Sequence, residues 1–294
     1  MELRVAARGS LLSVIQVREA MSYIAHRLGE QVKYKLVKVK TKGDIIKDKP
    51  LHKIRGGSLF EKEVDKAVLE GRADIAVHSM KDLPSKLPNG LEILAVAPRG
   101  TPNESLVPAR GKEPLSLERV PRGSRIAAGS PRRKFMVKNS NSSVEVTWIR
   151  GNIDTRLRKL DEGMADYLVV AEAALERLKI ERARVVLPLE KYVPAPGQGI
   201  VAIVGLRDSS IARKLRAASH TPTRIMAEAE RAFLSALGGV CGKPVGGVAR
   251  LNNGVEFVAA LYLEGRSLYV KVKARDPVEA GLEAAEAIKS APWW

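Results

Sequence analysis

The chain has 294 residues, enough for two or three domains, and its hydrophobic content of 45% supports globular domains with proper cores. Lys and Arg number 50 against 33 Asp and Glu, a formal net charge of +17, which favours a partner such as nucleic acid, an anionic membrane or a polyanionic small molecule. One cysteine excludes an internal disulfide, and four histidines without ligand spacing predict no structural metal site.

The pattern of the basic residues narrows the choice of partner. They are dispersed, with no block beyond Arg132-Arg133-Lys134 and no basic strand interleaved with aromatic residues, which argues against nucleic acid. High charge content is also typical of proteins from hot environments, a plainer explanation of part of the excess. The N-terminus has no signal segment and no run of eighteen apolar residues occurs, so we expect a soluble cytoplasmic protein without a membrane partner.

The chain begins with alternating strands and helices. Residues 3–7 have the pattern of a buried strand, and residues 11–28 that of an apolar-periodic helix with Ser10 as its N-cap. A helix N-terminus with Arg8 beside it suits an anion. Residues 32–40 alternate apolar and charged side chains, which predicts a half-exposed strand.

A loop and a second helix lead to the most informative stretch, RADIAVHSMKDLP at 72–84. The polar residues 41–58 predict a loop of functional length, and residues 59–70 a helix that ends at Gly71. The buried strand 75–77 then runs into His78, Ser79, Lys81 and Asp82. Because ligands bind beyond the carboxyl ends of strands in open α/β sheets, this is where a site is expected. The plainer alternative is a polar turn in which Asp82 caps backbone amides.

The pattern returns later in the chain. The stretch 70–77 (EGRADIAV) is echoed by 162–169 (EGMADYLV), and 4–7 (RVAA) is echoed by 125–128 (RIAA). The second copy continues with a strand over 144–149 and a helix over 155–162. Chance similarity is the alternative, but agreement at two places in the same order predicts two successive βαβαβ units.

The predicted fold class is α/β, with two similar lobes and a small α+β C-terminal domain that has a three-stranded antiparallel sheet. The first lobe takes residues 1–98 and 200–217, the second 99–193, and hinges are predicted near 97–101 and 192–199, where Pro and Gly are frequent. The C-terminal domain, 218–294, has helices at 222–237 and 277–290 and three strands within 245–274.

A glycine-flanked cysteine and a set of arginines are the remaining candidates. Cys241 lies in GGVCG, which favours an accessible, reactive thiol over the inert apolar cysteine that is the commoner case. A Cys-His hydrolase is not supported, because His220 is the only nearby histidine. Several arginines converging on one cleft imply a ligand with many carboxylates, whereas the alternative is that each one decorates a solvated helix face. They are Arg8, Arg132, Arg133, Arg150, Arg156 and Arg177.

Together and in this order, these residues resemble porphobilinogen deaminase, also called hydroxymethylbilane synthase, from Arg4 to about Pro244. The most specific pieces are Arg8-Gly9-Ser10 with Gln16, RADIAVHSMKDLP, Arg150-Gly151-Asn152 with Thr155-Arg156, Pro194-Ala195-Pro196-Gly197-Gln198-Gly199, and the glycine-flanked Cys241. The resemblance implies three domains, the first two similar to bilobal solute-binding proteins. It also implies a transferase that joins four porphobilinogen molecules head to tail, releases ammonia each time, and gives linear hydroxymethylbilane for tetrapyrrole (haem) biosynthesis.

The resemblance also implies roles for individual residues. Cys241 would carry a dipyrromethane cofactor through a thioether, and Asp82 would be catalytic, its carboxylate stabilising positive charge on a pyrrole nitrogen. Further cofactor-binding residues would be Ser79, Lys81, Arg132, Arg133, Arg150, Gly151 and Asn152. Substrate-binding residues would be Arg8, Ser10, Gln16, Arg156, Arg177 and Gln198. The partners would be porphobilinogen and the growing polypyrrole chain, with no metal, and the protein would be a monomer.

The sequence departs from the family's usual pattern at a few positions. Gly57 stands where a lid lysine is usual, so that Lys53 or Arg55 could substitute; Ala128 and Gly129 stand where hydroxyl residues are usual. Pro131 replaces a leucine and Val240 a glycine. Two alternative functions remain at this point: a non-catalytic bilobal protein that binds an anionic ligand, and a nucleic-acid-binding protein. The terminal Trp293-Trp294 has no assignment.

Overall fold

Two five-stranded sheets built on one pattern, followed by a three-stranded sheet, organise the protein. The computed structural model describes residues 1–40, 62–239, 243–292 and 294. The chain begins with β1 (Glu2–Arg8), α1 (Leu11–Leu28), β2 (Lys33–Val39), α2 (Lys62–Leu69), β3 (Ile75–Ser79), a 3₁₀ turn (Met80–Asp82) and β4 (Leu91–Val96). The Ser10 side chain accepts the backbone N–H of Ser13, which confirms the predicted N-cap of α1.

The chain then crosses to the second sheet. Its elements are β5 (Glu104–Pro108), a 3₁₀ turn (Leu117–Arg119), β6 (Arg125–Ala128), α3 (Pro131–Ser140), β7 (Glu145–Trp148), α4 (Ile153–Asp161), β8 (Tyr167–Ala171), α5 (Glu172–Arg177) and β9 (Val185–Val186). The helix predicted over 155–162 begins two residues earlier than expected, because Asn152 is already its N-cap.

The chain returns to the first sheet through β10 (Val201–Leu206), which α6 (Ala212–Ala218) follows. The sheet orders are β2-β1-β3-β10-β4 and β7-β6-β8-β5-β9. In each sheet three parallel strands are joined by one antiparallel strand that enters from a crossing: β10 pairs with β3, and β5 pairs with β8. The strands at the centres of both sheets are almost wholly buried, as expected for sheets covered by helices on both faces.

The sequence echo is a structural repeat. The backbone N–H of Arg4 donates to the carboxylate of Asp74 at 2.6 Å, and that of Arg125 donates to Asp166 at 2.8 Å. The Arg4 guanidinium also donates to the carbonyl of Gly71 at 2.7 Å, and the Arg125 guanidinium makes the same bond to the carbonyl at position 163 at 2.8 Å. Each pair thus joins the first strand of its sheet to the turn before the third, which confirms the two βαβαβ units.

A small α+β unit completes the protein. It contains α7 (Thr221–Ala236), β11 (Val245–Leu251), β12 (Val255–Leu263), β13 (Arg266–Ala274) and α8 (Pro277–Lys289). The strands are antiparallel in the order β11-β12-β13. The two helices pack closely: a Cβ at Gly281 would lie 2.2 Å from the carbonyl oxygen of Ala229, so only glycine fits. The predicted fold class is confirmed, whereas the residue limits of the three domains stay predictions.

A buried ion pair attaches this unit to both crossings. The Arg99 guanidinium donates to the Glu230 carboxylate at 2.6 Å, and its Nε donates to the carbonyl of Gln198 at 3.0 Å. Glu230 also accepts the backbone N–H groups of Gly197 and Ala249. Since Glu230 lies on α7, this helix is bonded to the segment before β5 and to the segment before β10. Within the described part of the chain, no helix combines the length and apolar character that a membrane crossing needs.

Candidate functional site

A cleft of about 1500 Å³ lies where the carboxyl ends of the strands of the two sheets meet the C-terminal unit. We call this "the cleft". The described residues that line it come from all three parts, among them Arg8 and Asp82 from the first, Arg133 and Arg156 from the second, and Lys243 from the last. This is the position at which open α/β sheets place their ligands.

The end of β3 supplies the first-lobe side of the cleft. Ser79 ends the strand, and its hydroxyl is hydrogen-bonded to the Gln16 side chain of α1 at 2.8 Å. The chain then turns through Met80–Asp82, where Asp82 is exposed and lines the cleft. Among the described residues, none donates a hydrogen bond to the Asp82 carboxylate. It therefore does not act as the cap of a turn, which was the plainer alternative.

The second crossing fixes the neighbouring lysine. Gly197 has φ +80°, and a Cβ there would lie 2.8 Å from the backbone nitrogen of Lys81, so the crossing passes directly over the turn. The Lys81 ammonium donates to Oε1 of Gln198 at 3.1 Å, and Gln198 is itself held by the carbonyl of Pro102 at 2.8 Å. Burial and then the positive charge of Arg133 lower the pKa of Lys81 to about 8.

Two arginines at the start of α3 are held by a buried acid. Arg133 donates to both oxygens of the Glu104 carboxylate, at 3.1 and 2.6 Å, and Arg132 donates to Glu104 and to the carbonyl of Val193. Burial alone would raise the pKa of Glu104, but the charges of Arg133 and Arg132 outweigh burial and lower it to about 2. Both arginines line the cleft, yet part of their hydrogen-bonding capacity is used within the protein.

Arg156 occupies space that a glycine leaves open. Its Nε donates to the carbonyl of Gly151 at 2.7 Å, and a Cβ at Gly129 would lie 2.9 Å from its Nη1. Gly129, which stands where a hydroxyl residue is usual in the family, thus leaves room for a guanidinium. Burial and then the charge of Arg133 lower the pKa of Arg156 to about 10, whereas Asp82 acts in the opposite direction.

The other predicted site residues are divided between the cleft and other places. Arg177 is outside the described lining of the cleft: it is bonded to Glu19 of α1 at 2.7 Å and to the carbonyl of Gly199 at 2.9 Å, beside a smaller pocket shared with Gln16 and Lys81. Predicted residues that line the cleft are Arg8, Ser10, Gln16, Ser79, Lys81, Asp82, Arg132, Arg133, Arg150, Gly151, Asn152, Arg156 and Gln198. Cys241, Val240, Gly57, Lys53 and Arg55 lie outside the described residues.

Several residues of the site were missed in the sequence. Glu104 has no sequence signal, since a lone Glu before an apolar strand is ordinarily exposed. Lys243 follows the cysteine motif by two residues, and that proximity was a usable signal. The cationic residues of the described lining are Arg8, Lys38, Lys40, Lys81, Arg132, Arg133, Arg150, Arg156, Arg158, Lys159 and Lys243; its acids are Asp82 and Asp154.

This imbalance of charge indicates the class of ligand. The cations lower one another's pKa values because no equal number of carboxylates compensates them at short range. A ligand with several carboxylates removes that repulsion, and a dipyrromethane that carries acetate and propionate groups meets the requirement. No group of three or more His, Cys, Asp or Glu among the described residues is placed to hold a metal ion.

Two family models match the chain. "Porphobilinogen deaminase, dipyromethane cofactor binding domain" matches residues 3–214, and "Porphobilinogen deaminase, C-terminal domain" matches residues 224–290. A probable porphobilinogen deaminase of Pyrobaculum neutrophilum is 43% identical over 296 residues, 99% of this chain and 99% of the relative. One of Hyperthermus butylicus is 44% identical over 291 residues, 97% of this chain and 95% of the relative.

Solved structures of solute-binding proteins are similar at a lower level. The methionine-binding protein MetQ is 11% identical with a TM-score of 0.45, and the match covers 74% of this chain and 89% of that chain. The family models together match most of the chain, and the two relatives align with nearly all of it. The chain therefore belongs to the porphobilinogen deaminase family.

Proposed function

We propose that this protein joins four porphobilinogen molecules head to tail, with release of ammonia, on a dipyrromethane primer bound through a thioether at Cys241. The observation that carries the proposal is the convergence of the two lobes on a cation-lined cleft in which Asp82 presents an unbonded carboxylate. A passive binding site for a polyanion has no need of an exposed carboxylate among its cations, since that acid repels the ligand. The likeness to solute-binding proteins is one of fold and does not favour a purely binding role.

The cations of the cleft hold the carboxylates of the pyrrole rings. Lys81, Arg132, Arg133 and Arg150, with the polar groups of Ser79, Gly151 and Asn152, are proposed to hold the cofactor. Arg8, Ser10, Gln16, Arg156, Arg177 and Gln198 are proposed to hold the substrate side. Arginine suits this task because its planar fork of N–H groups matches a carboxylate at two points. When bound, the dipyrromethane supplies the terminal pyrrole to which the next unit is joined.

Asp82 is the proposed catalytic residue. Its carboxylate is exposed to the cleft and lies close enough to Lys81 and Arg156 to raise the pKa of each. Loss of ammonia leaves positive charge on the pyrrole of the substrate, and a fixed carboxylate stabilises that charge and accepts the N–H. The surrounding cations keep the Asp82 carboxylate in its charged form while they bind the carboxylates of the substrate.

Intact-mass measurement of the purified protein tests the proposal. We expect one covalent adduct with the mass of a dipyrromethane, and a positive colour reaction with an acidic aldehyde reagent, which marks pyrroles. Cys241→Ser is expected to lose the adduct, the colour and all turnover of porphobilinogen. Unmodified, fully active protein would contradict the proposal. A free alkylatable thiol together with reversible binding of an anion, and no turnover, would instead support the binding-protein alternative.

The low pKa of Lys81 predicts a pH dependence of substrate binding. With a pKa of about 8, the ammonium is charged below that pH and loses its proton above it. A bound carboxylate favours the charged form, so binding above pH 8 requires uptake of a proton. We expect the KM for porphobilinogen to rise between pH 8 and pH 10 by up to about ten-fold per unit. Lys81→Arg is expected to flatten the profile because a guanidinium stays charged. A flat wild-type profile would exclude Lys81 from binding.

The protein is proposed to be a cytoplasmic monomer whose partners are porphobilinogen and the polypyrrole chain. These two properties, location and oligomeric state, stay predictions from the sequence. Mass measurement in solution, by light scattering of the purified protein, checks the second.

A further inference from the structure

The terminal tryptophan contacts a lysine of the cleft. The ammonium of Lys243 lies over the indole ring of Trp294, 3.9 Å from the ring centroid, which is within the range of a cation–π interaction. The backbone N–H of Trp294 donates to the carbonyl of Ala291 at 3.0 Å, so the chain turns back after α8 to bring the ring there. Lys243 is exposed and lines the cleft. Neither residue has a role in the function proposed above.

Lys243 is placed by the chain itself next to the cofactor cysteine. Two residues span at most about 7 Å between Cα atoms, so the Cα of Lys243 lies within that distance of the Cα of Cys241. A lysine side chain is nearly as long, and its ammonium therefore reaches the first ring of any group bound through the thiol. Among the described residues, no carboxylate lies in ion-pair range of Lys243.

The indole limits the freedom of the lysine without neutralising it. A lysine side chain has four rotatable bonds, and an unrestrained one loses much conformational freedom when it binds an anion. A ring under one side of the ammonium reduces this loss and leaves the other N–H groups open to the cleft. Tryptophan provides the strongest such contact of the aromatic side chains.

We propose that Lys243 is a further cofactor-binding residue, which donates to a carboxylate of the pyrrole ring nearest the thioether, and that Trp294 is a positioning residue that holds its ammonium. The inference rests on the attachment of the primer at Cys241. The ligand class is a thiol-linked pyrrole with acidic side chains, and the pair acts when the primer is first bound.

The rate at which protein without cofactor acquires the adduct tests the inference. Protein is expressed in a host that makes no porphobilinogen, then mixed with porphobilinogen, and the adduct is followed by intact mass. We expect Lys243→Met to slow adduct formation by about three- to ten-fold, the range for an exposed charged hydrogen bond, and Lys243→Arg to restore most of the rate. Trp294→Leu is expected to slow it by about two- to five-fold, and Trp294→Phe by less.

Two controls separate this role from folding and from net charge. Lys273→Met removes the same charge from an exposed position on β13, outside the described lining of the cleft, and is expected to keep the wild-type rate. The temperature of unfolding is expected to stay within a few degrees for all variants, since both residues are exposed.

The double variant decides whether the two residues act together. If Trp294 acts through Lys243, Trp294→Leu has no further effect in the Lys243→Met protein. An equal effect in both backgrounds would overturn the positioning role. An unchanged rate in Lys243→Met, with the wild type forming the adduct normally, would overturn the inference and leave the function of the enzyme intact. A wild type that forms no adduct would instead overturn the attachment at Cys241.

Discussion

Asp82→Asn is expected to lower the turnover of porphobilinogen by about 10²- to 10⁴-fold, the range for loss of a catalytic carboxylate or of one preorganised charge. The amide keeps the shape of the side chain and removes the charge that stabilises the cationic pyrrole. Because Asp82 is exposed and no described residue donates a hydrogen bond to its carboxylate, the substitution is expected to leave folding and the adduct unchanged. Steady-state kinetics and intact mass of the same preparation measure both.

A neighbouring acid provides the matched control. Asp154 is also exposed and also lines the cleft, at the start of α4, and Asp154→Asn makes the same chemical change. We expect its turnover to stay within a few-fold of wild type, whereas equal losses in both variants would show a general effect of charge. Asp82→Asn should also move the pH dependence of Lys81 to lower pH, because Asp82 raises the pKa of that lysine. Near-normal turnover would remove Asp82 from the mechanism.

Glu104→Gln is expected to destabilise the protein by about 3–5 kcal/mol, as is typical when one partner of a buried ion pair is removed. Glu104 is fully buried, and its carboxylate bonds Arg132 and Arg133 together. The amide would leave two guanidinium groups close to each other without a compensating charge. Because domains of this kind are stable by only about 5–15 kcal/mol, the loss should be plain in chemical denaturation.

The pH dependence of stability gives an independent check on Glu104. Its pKa in the folded protein is about 2, below the ordinary value of 4.5, so its contribution is complete above pH 4.5 and is lost as the pH falls toward 2. The wild type should lose stability over that interval more steeply than Glu104→Gln. Glu162→Gln, which breaks an exposed pair with Arg158 on the α4 surface, is the control and should cost at most about 1 kcal/mol. Equal unfolding free energies for Glu104→Gln and wild type would contradict the structural role.

The features that were predicted from the sequence are those with local signals. The cap and both ends of α1, the three strands of the C-terminal unit and the repeat all have periodicity, glycines or capping residues that act over a few positions. β4 and β5 were not predicted, because a short apolar run without flanking turn chemistry does not distinguish a strand from a helix segment. The antiparallel placement of β5 depends on a partner some sixty residues away, and no local signal encodes it.

The site was predicted as a set of residue types more accurately than as a set of contacts. Arg132, Arg133 and Arg156 do line the cleft, as the convergence of arginines predicted. The sequence could not show that Glu104 holds two of them, nor that Arg177 is bonded to Glu19 on the other lobe, since such pairs form between distant segments. The roles of these side chains in binding stay predictions until the variants are measured.

The exchange of antiparallel strands between the two sheets constrains how the protein is made. β10 lies between β3 and β4, so a nascent chain that has been translated only as far as residue 200 has no partner in the first sheet for β4. The first sheet therefore cannot close until the whole of the second has left the ribosome. A fragment that ends after β4 would expose the unpaired edge of β3, and expression of such a fragment should give aggregates rather than an independent half of the enzyme.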